Sequence, residues 1–129
     1  MKRTIAAGIM SLAFTLNAFA EDQTPVVPQS YPGPHEAASN VYTKLFENER
    51  VRVSEIKFNP GDKAPMHTHA YDHYVYVIEP GTLTLSHPDG TSQTVAAEAG
   101  QVLWMPAETH EAVNTGTTVL RATVSELKQ

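Results

Sequence analysis

Between residues 41 and 127 the chain is cut at short, regular intervals by turn formers: Asn59-Pro60-Gly61-Asp62, Pro80-Gly81, Pro88-Asp89-Gly90, Ala99-Gly100 and Asn114-Thr115-Gly116. The stretches between them are too short for ordinary helices and alternate apolar with polar residues, the two-residue period of a half-buried strand. Leu83 and Leu85 alternate with Thr82, Thr84 and Ser86, and Leu120, Ala122 and Val124 alternate with Val119, Arg121 and Thr123. No stretch sustains a helical period. Many short strands joined by Gly and Pro turns predict an all-β antiparallel sandwich or barrel, and the strand count fits a jelly roll.

Strands are expected over 41–46, 51–58, 66–69, 73–78, 82–87, 91–95, 101–105, 110–113 and 117–127. In the second of these the alternation of Val51 and Val53 is one residue out of phase with that of Ile56 and Phe58, which predicts a bulge near Ser54-Glu55. Arg52 and Arg121 read as residues of a solvated strand face, and His87 as a solvated residue at a strand end.

Residues 1–20 stand apart from this pattern. Lys2 and Arg3 precede a short apolar run, and Ala18-Phe19-Ala20 forms a small-x-small cleavage site, the layout of a secretory signal peptide. The run is shorter than the roughly 20 residues a spanning helix needs. The expectation is an exported protein, periplasmic or secreted, beginning near Glu21, with no membrane insertion after cleavage. Residues 21–40 form a Pro-rich arm, in which Pro25, Pro28, Pro32, Pro34 and Gly33 favour extended chain over helix. Residues 41–129 are one domain.

Charge and cysteine content narrow the function classes. Without Lys2 and Arg3, 7 basic residues face 14 acidic ones, which disfavours nucleic acid and anionic membrane surfaces as partners. There is no cysteine. Thiol nucleophiles, disulfides and thiolate ligands are excluded, so a metal must be held by imidazole and carboxylate.

The chemistry-bearing residues cluster in Gly61-Asp62-Lys63-Ala64-Pro65-Met66-His67-Thr68-His69-Ala70-Tyr71-Asp72-His73. On an extended strand His67 and His69 project to one face. His73 follows after a break short enough to return a third imidazole to the same point, and His110 supplies a fourth. Imidazole suits iron, zinc, nickel and copper. His67, His69, His73 and His110 are therefore the candidate ligands of a divalent transition metal, Fe, Zn, Ni or Mn. No catalytic residue is assigned.

These residues also carry a resemblance. Gly61-x5-His67-x-His69-x3-His73, running on to Pro80-Gly81, is similar to the first motif of the cupins, with His73 where that family usually has Glu. Gly100-x5-Pro106 and His110-x3-Asn114 resemble the second motif. The resemblance implies a cupin-type jelly-roll β-barrel with a metal at its mouth, and a ligand set of three or four imidazoles. Phe46 to Val53 and Glu126 to Lys128 further resemble small single-domain cupins associated with β-alanine degradation. By the same resemblance, a three-His iron site implies a dioxygenase acting on a small organic acid or diketone. A metal-dependent isomerase or lyase, or a non-catalytic binder of metal or small ligand, stands as the alternative. Small cupins commonly pair through edge strands, so a homodimer is expected, with the arm at residues 24–40 crossing to the partner.

Overall fold

A computed structural model describes residues 30–129. The expected signal peptide, residues 1–20, and residues 21–29 of the arm lie outside the described residues. The described chain is one four-residue helix and nine strands: α1 (Pro34–Ala37), β1 (Tyr42–Glu47), β2 (Val51–Phe58), β3 (Lys63–His69), β4 (His73–Glu79), β5 (Gly81–Ser86), β6 (Ser92–Ala97), β7 (Val102–Met105), β8 (Glu108–Asn114) and β9 (Leu120–Leu127). All strand pairs are antiparallel. They form a five-stranded sheet in the order β1-β2-β9-β4-β7 and a four-stranded sheet in the order β3-β8-β5-β6. The expected barrel is thus open, a jelly-roll sandwich of two sheets.

Pro80-Gly81 is one of the points where the chain leaves one sheet for the other. A Cβ on Gly81 would stand 2.7 Å from Cβ of Leu120, so glycine is required there by close approach and not by a left-handed turn. Gly61, Gly90 and Gly100 are the residues that take positive φ at the turns read from sequence.

The core lies between the sheets. Ile56 and Phe58 of β2, Val77 of β4, and Leu120, Ala122 and Val124 of β9 face Ala64 of β3, Leu85 of β5, Ala97 of β6 and Ala112 of β8. On β4 the inner residues are His73, Val75 and Val77, while Tyr74, Tyr76 and Ile78 are exposed.

Three local expectations change. The bulge lies on β1, between Lys44 and Phe46, and β2 pairs with β9 without interruption from Val51 to Phe58. The apparent change of phase in β2 arises because its inner face is polar at one end: Arg52 and Ser54 point inward with Ile56 and Phe58. Arg52 accordingly lies 3.5 Å from the buried carboxylate of Glu126 and is not a solvated-face residue. Finally, the arm is not wholly extended, because Pro34 sits in the first turn of α1, where its missing N–H and fixed φ are tolerated. This segment packs on the same chain, with Thr68 N–H donating to Pro32 O at 2.9 Å.

Candidate metal centre

β3 and β8 bring His67, His69 and His110 together. His67 is the register partner of His110, and the ladder is shifted between Ala64 and His67. The ring nitrogens of His67, His69 and His110 lie within 4.8 Å of one another, and all three residues are buried. Nε2 of His67 and Nε2 of His69 are 3.1 Å apart.

The opposite edge of each ring is engaged. Nδ1 of His67 donates to Pro65 O at 2.7 Å, Nδ1 of His69 to the Glu126 carboxylate at 3.2 Å, and Nδ1 of His110 to the Glu108 carboxylate at 2.8 Å. A carbonyl or carboxylate acceptor places the proton on Nδ1, which leaves Nε2 as a lone pair. Two such lone pairs facing each other at 3.1 Å have no proton to share. That separation matches the edge of a coordination polyhedron with metal–nitrogen bonds of about 2.1 Å. The donor set therefore fits a divalent transition metal.

Burial keeps His67 and His110 neutral. It lowers His67 to about 4 and His110 to about 2, with the neighbouring imidazoles adding to the effect. Neutral imidazole is the form that binds metal.

His73 comes from the other sheet and stacks on His69, ring centroids 4.1 Å apart and planes 22° from parallel. Its Nδ1 donates to Tyr71 O at 3.1 Å, and burial lowers it to about 4. It stands beside the converging trio and outside the group of mutually close nitrogens. His87 lies at the rim, donating through Nδ1 to Thr109 O, with its ring 6.3 Å from that of His110. His35 of α1 pairs through Nε2 with Ser54 Oγ at 2.8 Å and meets the Tyr42 ring edge-on. All six histidines of the chain are thus linked through one cluster.

Two residues at the centre were not singled out from sequence. Glu126 is 2% exposed and orients His69. Burial pushes its carboxyl upward, but the hydrogen bond from His69 and the positive charge of Arg52 hold it below the ordinary value. Tyr42 is buried, with its hydroxyl 3.4 Å from Nε2 of His69, and burial raises its phenol well above the usual value.

Behind the cluster is an interior cavity of about 60 Å³. Its walls are aliphatic and aromatic, including Phe58, Val77, Leu85, Leu120 and Val124, and its polar end is formed by Tyr42, His69, His73 and His110. Met105 faces this cavity, whereas Trp104 and Tyr76, which alternate with the inward residues of β7 and β4, point to solvent.

A family model described as a cupin domain matches residues 54–126. The chain belongs to the cupin family. The cupin domain from Bordetella pertussis Tohama I superposes with a TM-score of 0.64 at 29% identity, covering 78% of this chain and 99% of that one. The polyketide cyclase RemF from Streptomyces resistomycificus matches with a TM-score of 0.53 at 26% identity, covering 68% of this chain and 64% of that one. A double-stranded β-helix domain from Klebsiella pneumoniae, 18% identical with a TM-score of 0.56 over 68% of this chain and 76% of that one, shares the fold. No curated protein matches the sequence.

Proposed function

We propose that this cupin is a metal-dependent enzyme whose centre is held by Nε2 of His67, His69 and His110, with His73 beside them as an additional donor, and whose substrate is a small chelating acid or diketone. The observation that supports this is the convergence of three lone pairs whose rings are each fixed from behind by an acceptor on Nδ1. A divalent metal at this point supplies Lewis acidity undiminished by a carboxylate ligand, and iron would add the O2 chemistry of a dioxygenase. The protein's contribution is to hold His67 and His110 neutral, exclude water with the apolar walls, and receive a small alkyl group of the substrate in the cavity.

A second reading, a non-oxidative isomerase, lyase or cyclase, draws on the similarity to RemF, a polyketide cyclase. Both readings involve carbonyl compounds able to chelate through oxygen. A non-catalytic metal or ligand binder is the remaining alternative. The segments that resemble the cupins of β-alanine degradation meet in space, since Lys128 Nζ donates to Glu47 Oε1 at 2.6 Å and to Asn48 O at 2.9 Å. They also meet at Arg52 and Glu126, behind His69, and none of these contacts identifies a substrate.

Replacing His67 and His69 together by Ala should abolish stoichiometric metal. Iron-loaded protein should consume O2 with a β-dicarbonyl, thiol-acid or diol, and lose that activity in His67→Ala. Absence of O2 uptake with every member of the panel, together with conversion of a β-dicarbonyl without O2, would replace the dioxygenase by the second reading. We further propose export by way of residues 1–20, tested by whether the amino terminus of protein from the native host is Glu21. A homodimer is proposed as well. The exposed outer face of β4 and β7, where Tyr74 pairs with Trp104 and Tyr76 with Val102, supports that assembly.

A further inference from the structure

The hydroxyl of Tyr42 is the one polar group of the cavity end, other than the imidazoles, that has no partner besides a candidate ligand nitrogen. It stands 3.4 Å from Nε2 of His69. Its ring is wedged edge-on against His67, at 5.7 Å between centroids, and is backed by His35 at 5.5 Å. The other polar groups at this mouth are committed elsewhere, His35 to Ser54 and Nδ1 of His69 to Glu126. Tyr42 is also anchored through its backbone, with its N–H donating to Ala38 O at 2.9 Å.

Metal binding changes what this hydroxyl can do. The lone pair it faces is consumed by the metal, so the donor loses its acceptor. A buried hydroxyl without an acceptor is costly, and the remaining surroundings are mostly hydrocarbon. An oxygen atom of a molecule chelating the same metal would restore the bond.

Resting on the metal-centre reading above, we propose that Tyr42 is a specificity-determining residue that donates a hydrogen bond to an oxygen of the chelating ligand, selecting oxygen chelators such as β-dicarbonyls and carboxylates over nitrogen donors. The phenol is positioned for this by β1 and α1, elements that carry no metal ligand. The rival partner is the second carboxylate oxygen of Glu126, which makes no hydrogen bond. In that arrangement Tyr42 would act only through Glu126 and His69.

The test uses the cobalt(II)-loaded protein and two probes followed by the visible spectrum, acetylacetone as an oxygen chelator and imidazole as a nitrogen donor. In Tyr42→Phe, cobalt stoichiometry and imidazole affinity should be unchanged, which also shows that the fold and centre persist, while acetylacetone should bind roughly tenfold more weakly. Equal weakening of both probes, or a fall in cobalt stoichiometry, would assign Tyr42 to support of the ligands and overturn the proposal. Unchanged acetylacetone affinity would overturn it too and leave the metal centre standing. Failure of the unmutated protein to take up one cobalt would remove the metal centre itself, and the anchoring role with it.

Discussion

Glu126 accepts a hydrogen bond from His69 across 3.2 Å, with both side chains withdrawn from solvent, although 57 residues separate them in the chain. β9 makes this contact possible by inserting between β2 and β4, which sets Glu126 beside Arg52 on one side and His73 on the other. A carboxylate behind a ligating imidazole fixes its orientation and raises its basicity.

Replacing Glu126 by Gln should therefore weaken metal affinity by roughly 10-fold to 100-fold, the usual cost of losing such a partner. Glu126→Ala should cost more, because Gln keeps an oxygen that can accept from Nδ1 of His69 and Ala keeps none. Competition with a chromophoric chelator measures both. Equal affinity of Glu126→Gln and the unmutated protein would show that the carboxylate does not tune His69.

The metal-free protein should lose stability in acid. His67 and His110 titrate at about 4 and about 2 in the fold, against 6.5 for free imidazole. Below pH 6.5 the unfolded chain therefore binds more protons than the native state, and falling pH favours unfolding. Above pH 6.5 this contribution is fully present and flat. It is lost progressively as pH falls through 4, and the lowered Glu126 acts in the same direction below its ordinary value. Urea midpoints of metal-free protein should fall from pH 7 to pH 4.5. Metal binding at pH 7 should release almost no proton from His67 or His110, a quantity read by calorimetry in buffers of different ionisation enthalpy.

Gly81→Ala should destabilise the fold by about 1–3 kcal/mol, the range for overpacking a filled site. The new methyl group would meet Cβ of Leu120 at 2.7 Å, with Cα of Leu120 at 3.3 Å, so a strand must move. Gly33→Ala is the control, since open space surrounds that position and no positive φ is involved. Urea denaturation of the two variants should separate them clearly.

Trp104, the single tryptophan, is 60% exposed in the isolated chain. If the outer face of β4 and β7 pairs two copies, its emission should shift to the blue and its acrylamide quenching should fall as concentration rises from nanomolar to micromolar. Tyr76→Ser, which disrupts the same face and keeps the reporter, should abolish the change while altering the stability of the monomer by no more than about 0.5 kcal/mol, as for an ordinary surface substitution. Emission independent of concentration, with sedimentation as a monomer, would exclude that dimer.

Much of this architecture is legible in sequence because strand alternation and turn residues act locally. The turns at Gly61, Gly90 and Gly100 and the pairing of His67 with His69 on one face require only neighbours. What is not legible depends on partners far along the chain. Glu126, in Val-Ser-Glu-Leu-Lys, has the look of a solvated terminal carboxylate until β9 is placed between two strands. Arg52 has the look of a surface cation until Glu126 is set opposite it. On β4 apolar residues occupy both faces, so alternation alone does not say which of Val75 and Tyr76 is inside. In the arm, Gly33 followed by Pro34 is a recognisable helix start, but the density of prolines around it argues for extended chain.

The ninth described strand, β9, is the middle strand of the larger sheet. Until residues 120–127 are available, β2 and β4 have no common neighbour, His69 has no carboxylate behind it, and the sheet that closes one side of the cavity is in two pieces. The pairing of Val51 with Leu127 closes a long loop, a contact that topology makes slow to form. The binding centre is consequently a late product of folding: a growing chain carries His67, His69 and His110 well before it carries the residue that aligns one of them. Ordering of the candidate metal site is thereby coupled to the docking of β9.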